Sequence, residues 1–254
     1  MWMVVLLKII KYKKATNGRY KVYLDNDQVL LLYEEVILKY NLLLKKEITE
    51  KELIDIDLCN QEWDVYYVGL KSIKNRFRSE YELRQLLLRK EYPADLVDKA
   101  CSLLLNQKYL DDRSYTKSYI NTMILTSNKG PYKIEKELLE KKINSSIIQE
   151  EISLYEDDVQ IEKINKLIEK GIRSNHNRGG VVLKQKIYND LKNYGFDISL
   201  INNCINNYSF GNDGDLAKKE YYKLLKKYSR KYSGDELKRK IREKMYQKGL
   251  KYEE

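Results

Sequence analysis

Histidine and cysteine are nearly absent from this chain of 254 residues. The one histidine, His176, stands in a polar stretch, Ser174-Asn175-His176-Asn177-Arg178, with no second histidine to converge with it on a ligand or a proton. The three cysteines, Cys59, Cys101 and Cys204, are far apart, show no C-x-x-C spacing, and each lies in an apolar pattern. This argues against a zinc site and an even disulfide framework, and reads as reduced thiols buried in a core. Long hydrophobic runs are missing too. Met1 to Leu7 is apolar, but Lys8 ends the run far short of the roughly 20 residues that a membrane span needs. With no basic segment before it and no small-residue cleavage site after it, the run is read as a strand, and the chain as cytoplasmic.

The phosphate cradle G-x-x-x-x-G-K-[ST] is absent, as are G-x-S-x-G, H-E-x-x-H and an EF-hand loop. Gly179-Gly180 lacks the rest of a dinucleotide fingerprint and reads as a linker. The acidic pairs Asp111-Asp112 and Asp157-Asp158 open helical patterns, where a negative charge suits the helix dipole, so they read as caps rather than metal ligands. No enzyme, metal or cofactor is expected.

What the chain has is positive charge, tyrosine and a periodic apolar register. Lys and Arg number 48 against 38 Asp and Glu, a net charge of +10, which favours a polyanionic partner. Tyrosines number 23 against three phenylalanines. Those beside lysine, at Tyr221-Tyr222-Lys223 and Tyr228 to Tyr232, could stack on single-stranded bases or simply be half-buried packing. The register returns four times. From Ser79 it lands on Leu83, Leu87, Tyr92, Leu96 and Val97. From Gly130 it lands on Ile134, Leu138, Ile143, Ile147 and Ile148. From Leu183 it lands on Ile187, Leu191, Phe196, Leu200 and Ile201, and from Leu237 on Ile241, Met245 and Leu250. Starts 51, 53 and 54 residues apart indicate tandem units whose apolar faces need their neighbours, at a period longer than that of common helical repeats.

The expected fold is mainly α, with tandem three-helix repeats in an elongated array behind a small N-terminal β element. Strands are expected over Leu6 to Lys13, Arg19 to Leu24 and Gln28 to Leu32, the first two joined at Asn17-Gly18. A short helix follows over Glu34 to Tyr40, then a possible capping box at Thr49/Glu52, and a longer helix from about Gln61 with Trp63 in the core. Ser79/Glu82 and Ser233/Glu236 form further S-x-x-E boxes. Pro93 and Pro131 open helices, Asn144 and Asp197 cap them, and Asp213 to Asp215 leads into another. Gly171 is expected to stop a helix before a flexible joint over Arg173 to Gly180. The frame is 1–70 for the β element and its helices, repeats at 71–127, 128–172 and 179–231, and a partial unit at 232–254.

Positive charge recurs on the first helix of each unit. The candidate contacts are Lys74, Arg76, Arg78, Arg84 and Arg89, then Lys141 and Lys142, Lys184 and Lys186, and Lys238, Arg239 and Arg242. They could track phosphates with counterion release, or only solvate amphipathic helices. Arg78-Ser79-x-x-Glu82-Leu83, Tyr109-Leu110-Asp111-Asp112, Lys129-Gly130-Pro131-x-x-Ile134-x-x-Glu137-Leu138 and Tyr194-Gly195-Phe196-Asp197, in this order, resemble the bacterial RecX regulatory family, as does the segment Arg19 to Asp25. The chain departs from the family's pattern at Lys142, where glycine is common, and at Ser114-Tyr115. The resemblance implies a non-catalytic regulator that binds the RecA filament with single- or double-stranded DNA, most commonly as an inhibitor of ATP hydrolysis and strand exchange; a monomer is expected. The charge alone leaves two rivals: a general DNA- or RNA-binding helical protein, and a scaffold for an acidic protein.

Overall fold

The computed structural model describes residues 6–16, 18–175, 178–210 and 213–251. Met1 to Val5 of the expected first strand, Asn17 of the expected hairpin turn, and His176 lie outside them. The chain divides into two compact units, Met1–Tyr115 and Thr116–Glu254. It is mainly helical, with one small N-terminal sheet.

In the first unit β1 (Leu6–Lys14), β2 (Arg19–Leu24), β3 (Val29–Tyr33) and β4 (Glu47–Thr49) form an antiparallel sheet of order β3-β2-β1-β4. The alternation in β2 buries Val22 and Leu24 and leaves Lys21 in solvent, as period two requires. β4 was not expected. Three residues are too few to show an alternation, and Ile48 is drawn to the sheet through its pairing with Leu7. The β3 edge is covered by one side chain. Tyr33 N–H donates to Asn60 Oδ1 and Asn60 Nδ2 donates to the Leu31 carbonyl, both at 3.0 Å, in place of a fifth strand.

After α1 (Glu34–Lys39), helix α2 runs over Glu50–Asn75. The expected start near Gln61 is corrected: the Thr49/Glu52 capping box forms, and it opens this same 26-residue helix. Its first half hides the 3.6 period because apolar Ile54 and Leu58 are exposed beside the buried Ile56 and Cys59. One core, around Val22, Leu32, Val36, Ile48 and Ile56, lies against the sheet. A second, around Val65, Leu70, Leu83, Leu87, Cys101 and Leu104, gathers α2 with α3 (Glu80–Arg89) and α4 (Ala94–Asn106). Trp63 is half-buried and packs against both cores. Ser79 caps α3 in a complete box with Glu82. All three cysteines are buried free thiols; burial pushes Cys101 up to about 11.

The boundary between the units falls within α5 (Asp112–Thr126). Asp111 caps it, accepting from the Arg113 N–H at 2.9 Å and the Ser114 hydroxyl at 2.6 Å, and these bonds hold its carboxyl below the ordinary range. Asp112 does different work. It accepts from the Glu80 N–H at 2.8 Å, satisfying the start of α3, and burial pushes its carboxyl up.

The second unit continues with α6 (Pro131–Glu140), α7 (Ser145–Ile152), α8 (Asp157–Ser174), α9 (Gly180–Tyr194), α10 (Ile198–Asn206), α11 (Asp213–Tyr228) and α12 (Gly234–Gln247). Asn144 and Asp197 cap their helices as expected. The apolar register is the core: Ile134, Leu138, Ile143, Ile148, Ile187, Leu191, Phe196, Ile201, Ile241, Met245 and Leu250 are all buried. In each of the four segments a left-handed residue precedes the apolar residue that follows the first helix: Glu91 (φ 65°), Lys142 (φ 60°), Gly195 (φ 84°) and Gly249 (φ 69°). Lys142 is exposed, so its side chain stands in solvent despite the left-handed backbone.

Glycine supplies the joints of the second unit. Gly130 N–H donates to the Tyr194 carbonyl at 2.7 Å, and Tyr132 N–H to the Gly195 carbonyl at 3.0 Å. The same device recurs where Gly179 N–H donates to the Lys248 carbonyl at 2.8 Å. A Cβ on Gly179 would stand 2.3 Å from the Gly249 oxygen, and one on Gly180 2.4 Å from the Phe210 oxygen. The expected linker at Gly179-Gly180 is therefore a close-packed contact at the start of α9. Gly171 likewise does not stop a helix: α8 continues to Ser174, and a Cβ there would meet the Ile187 side chain at 2.8 Å. The expected Ser233/Glu236 box is also absent, since Ser233 makes no side-chain cap bond. Gly234, at φ 57°, takes the first position out of helical dihedrals, so the Glu236 N–H is not presented to the hydroxyl.

Candidate polyanion interface

The sequence-derived basic residues have unequal surroundings. Lys74 and Arg76 are exposed at the end of α2, and Arg78 Nε donates to Ser72 Oγ at 2.8 Å. Arg84 is held between Glu80, at 2.8 Å, and Asp98, so its charge is used within the fold. Arg89 is exposed and its Nε donates to the Gln85 carbonyl at 3.1 Å. Lys141 and Lys142 lie in the turn after α6 rather than on the helix, with Lys141 Nζ 5.6 Å from the Tyr119 ring centre. On α9, Lys184 Nζ donates to Asn206 Oδ1 at 3.1 Å, and Lys186 pairs with Asp190 at 2.5 Å. Lys238, Arg239 and Arg242 are exposed on α12.

The three on α12 belong to a larger surface whose other half the register reading missed. Helix α11 packs on α12 around Ala217, Leu224, Ile241, Met245 and Leu250. Its outer face presents Lys218, Lys219, Lys223, Lys226 and Lys227, all exposed, followed by Arg230 and Lys231. Residues 213–251 hold fourteen Lys and Arg against six Asp and Glu, a surplus of eight out of the chain's +10. The signal was present in the doublets Lys218-Lys219 and Lys226-Lys227, which lie on the last helix of a unit and not on the first. Aromatic rings stand among these charges. Tyr222 and Tyr246 are 48% and 80% exposed, and Lys227 Nζ lies 5.6 Å from the Tyr228 ring centre. Exposed rings interleaved with lysine give a surface for phosphates and for unstacked bases.

One carboxylate ties this pair of helices together. Glu220 is 6% exposed and pairs with Lys248 and, at 3.5 Å, with Lys223. Burial pushes its carboxyl up, but the Lys248 hydrogen bond and the two ammonium charges outweigh that and hold it below the ordinary range. A group depressed in the folded state adds stability above its unfolded value, about 4.3, and loses it as pH falls through the folded value. Urea unfolding of the native chain is therefore expected to lose midpoint steeply below about pH 4.3. In Glu220→Gln the pH 7 midpoint should fall and the acid-side slope should flatten in part, since Asp111, Glu137 and Asp197 are also held below the ordinary range and titrate there too; an unchanged slope would show that Glu220 contributes none of it.

Among the described residues, no helix is long and apolar enough to cross a membrane, and no three His, Cys, Asp or Glu side chains are grouped to hold a metal ion.

Residues 111–151, which span α5, α6 and all but the last residue of α7, match the model of the RecX second three-helix domain. A solved structure of a regulatory protein RecX is 30% identical, superposes with a TM-score of 0.70, and is matched over 99% of its chain and 78% of this one. The chain belongs to the RecX family. A regulatory protein RecX from Listeria monocytogenes serotype 4a (strain HCC23) is 28% identical over 248 residues, covering 96% of this chain and 92% of its own. One from Bacillus pumilus (strain SAFR-032) is 28% identical over 244 residues, covering 95% and 93%. RecX from Lactobacillus salivarius, solved as a crystal structure, is 26% identical with a TM-score of 0.55, over 59% of this chain and 97% of its own. The RecX domain match begins one helix before the frame read from the apolar register.

Proposed function

We propose that this RecX-family chain is a non-catalytic regulator of the RecA recombinase, acting in recombination and DNA repair by binding the RecA–DNA filament and restraining ATP hydrolysis and strand exchange. The observation that carries the contact surface is the α11–α12 pair, where most of the chain's positive excess is concentrated. Electrostatic attraction brings such a surface to DNA phosphates or to acidic protein, and bound counterions are released. Family membership supports the regulatory role. Lys238, Arg239 and Arg242 are the sequence-derived residues placed within this surface, and Lys74, Arg76, Arg89 and Lys184 are auxiliary contacts on other helices.

RecA's DNA-dependent ATPase rate, measured with substoichiometric amounts of the chain, is expected to fall. The quadruple variant Lys226→Glu/Lys227→Glu/Arg239→Glu/Arg242→Glu should need at least about tenfold more protein for the same effect, with unchanged helicity. An unaltered ATPase rate alongside salt-sensitive DNA binding would replace this proposal by a general nucleic-acid binder, the reading that exposed Tyr222 and Tyr246 favour. A quadruple variant as potent as the native chain would move the contact away from α11–α12.

A further inference from the structure

The first unit contains a hollow beside its sheet. It has a volume of about 530 Å³ and lies where the sheet meets the second half of α2. Arg19 from β2 and Tyr33 from β3 are paired across the two strands, and the Arg19 guanidinium carbon is 5.7 Å from the Tyr33 ring centre. Tyr33 stacks on Tyr67 of α2, at 4.7 Å and 13°. Lys71 and Lys74, one and two helical turns beyond Tyr67 along α2, stand exposed at the rim.

The polar groups here are unevenly satisfied. Asp64 has both oxygens occupied, Oδ1 by the Tyr33 hydroxyl at 2.9 Å and Oδ2 by the Tyr92 hydroxyl at 2.8 Å. Glu35 accepts from the Tyr67 hydroxyl and does not line the hollow. Arg19 Nε is buried and has no hydrogen-bond partner. Among the described residues neither Lys71 nor Lys74 forms an ion pair. A buried guanidinium donor without an acceptor is rare in a folded protein, because its lost hydration is not replaced. Three cations around one fully occupied carboxylate leave the lining with two positive charges, which matches a phosphate monoester at neutral pH. The remaining wall, Val68, Leu70 and Tyr67, is apolar, and the volume lies in the range of small-molecule sites.

We propose that this hollow binds a small organic phosphate monoester of mononucleotide size, with the phosphate on Arg19, Lys71 and Lys74 and the organic part against Tyr67 and Val68. The inference stands on the cavity alone and does not depend on the RecA reading. Titration calorimetry of the full chain with AMP, inorganic phosphate and adenosine tests it. AMP is expected to bind saturably, at least tenfold more tightly than either fragment. Arg19→Gln should weaken AMP at least tenfold, and Lys71→Gln/Lys74→Gln, which changes only exposed rim residues, several-fold. The double variant keeps the test decisive if Arg19→Gln fails to fold. Absence of saturable AMP binding at millimolar concentration would overturn the proposal. So would inorganic phosphate binding as tightly as AMP, or AMP binding unaffected in the variants, which would place the nucleotide elsewhere on the basic surface.

Discussion

Gly195→Ala is expected to lower the stability of the second unit by about 3 kcal/mol, combining a left-handed backbone penalty of roughly 1–2 kcal/mol with overpacking of roughly 1–3 kcal/mol. Gly195 ends α9 at φ 84°, where any Cβ crowds the following carbonyl. It also sits against the start of α6: an added Cβ would stand 2.5 Å from the Lys133 amide nitrogen. That atom is backbone in a helix whose first turn is already fixed by the bonds Gly130 N–H to Tyr194 C=O and Tyr132 N–H to Gly195 C=O, so it has no rotamer through which to yield. Gly130 meets the same contact from the other side, with a Cβ 2.4 Å from the Gly195 carbonyl. Gly234→Ala separates the two contributions, because Gly234 has φ 57° but nothing within 4 Å of its Cβ position. It should cost only the conformational part, about 1 kcal/mol. Urea midpoints with unchanged slopes would read the difference. Equal losses for Gly195→Ala and Gly234→Ala would mean that the close approach between α6 and α9 contributes nothing.

Phe196→Ala is expected to cost more, about 3–5 kcal/mol, the range for deleting a buried phenyl ring. Phe196 is 1% exposed and among the largest fully buried side chains. It occupies the place that Tyr92, Ile143 and Leu250 hold in the other segments, directly after the left-handed residue that ends the first helix. The backbone around it is fixed by the glycine joint, so the site collapses little once the ring is gone. Phe196→Leu keeps most of the volume and should cost less than about 1.5 kcal/mol. The comparison is read from the urea midpoints of the two variants. A loss below 1 kcal/mol for Phe196→Ala would show that the ring is not packed as the burial indicates.

Much of this molecule was legible because its signals are local. A capping box needs residues three apart, and those at Thr49 and Ser79 formed as the sequence predicted. The apolar steps are set by 3.6 residues per turn, and most of the positions they select are buried, from Leu83 to Leu250, while Tyr92, Ile147 and Leu200 are half-buried. The resemblance to RecX rested on those same caps and core positions, which is why it identified the fold more firmly than the contact surface.

What the tertiary structure decided involves residues that meet only after folding. The doublet Gly179-Gly180 reads alike as a hinge or as two positions with no room for a side chain, and the choice is made by the Gly249 and Phe210 carbonyls lying against it. β4 exists because β1 offers a partner to Ile48, not because three residues prefer extension. Ser233 begins a sequence that matches a capping box, yet the left-handed Gly234 withdraws the amide it needs. The charge of Arg84 could be read from sequence, but not the two carboxylates that hold it. Arg19 is an ordinary strand arginine until Tyr33, Lys71 and Lys74 surround it. By itself the sequence determined most of the helices, the caps at Thr49, Ser79, Asn144 and Asp197, most of the buried register and the net positive charge, because each depends on spacing along the chain. The joints, the hollow and the packing of α11 on α12 that leaves their lysines exposed depend on which surfaces come together, which only packing in three dimensions decides.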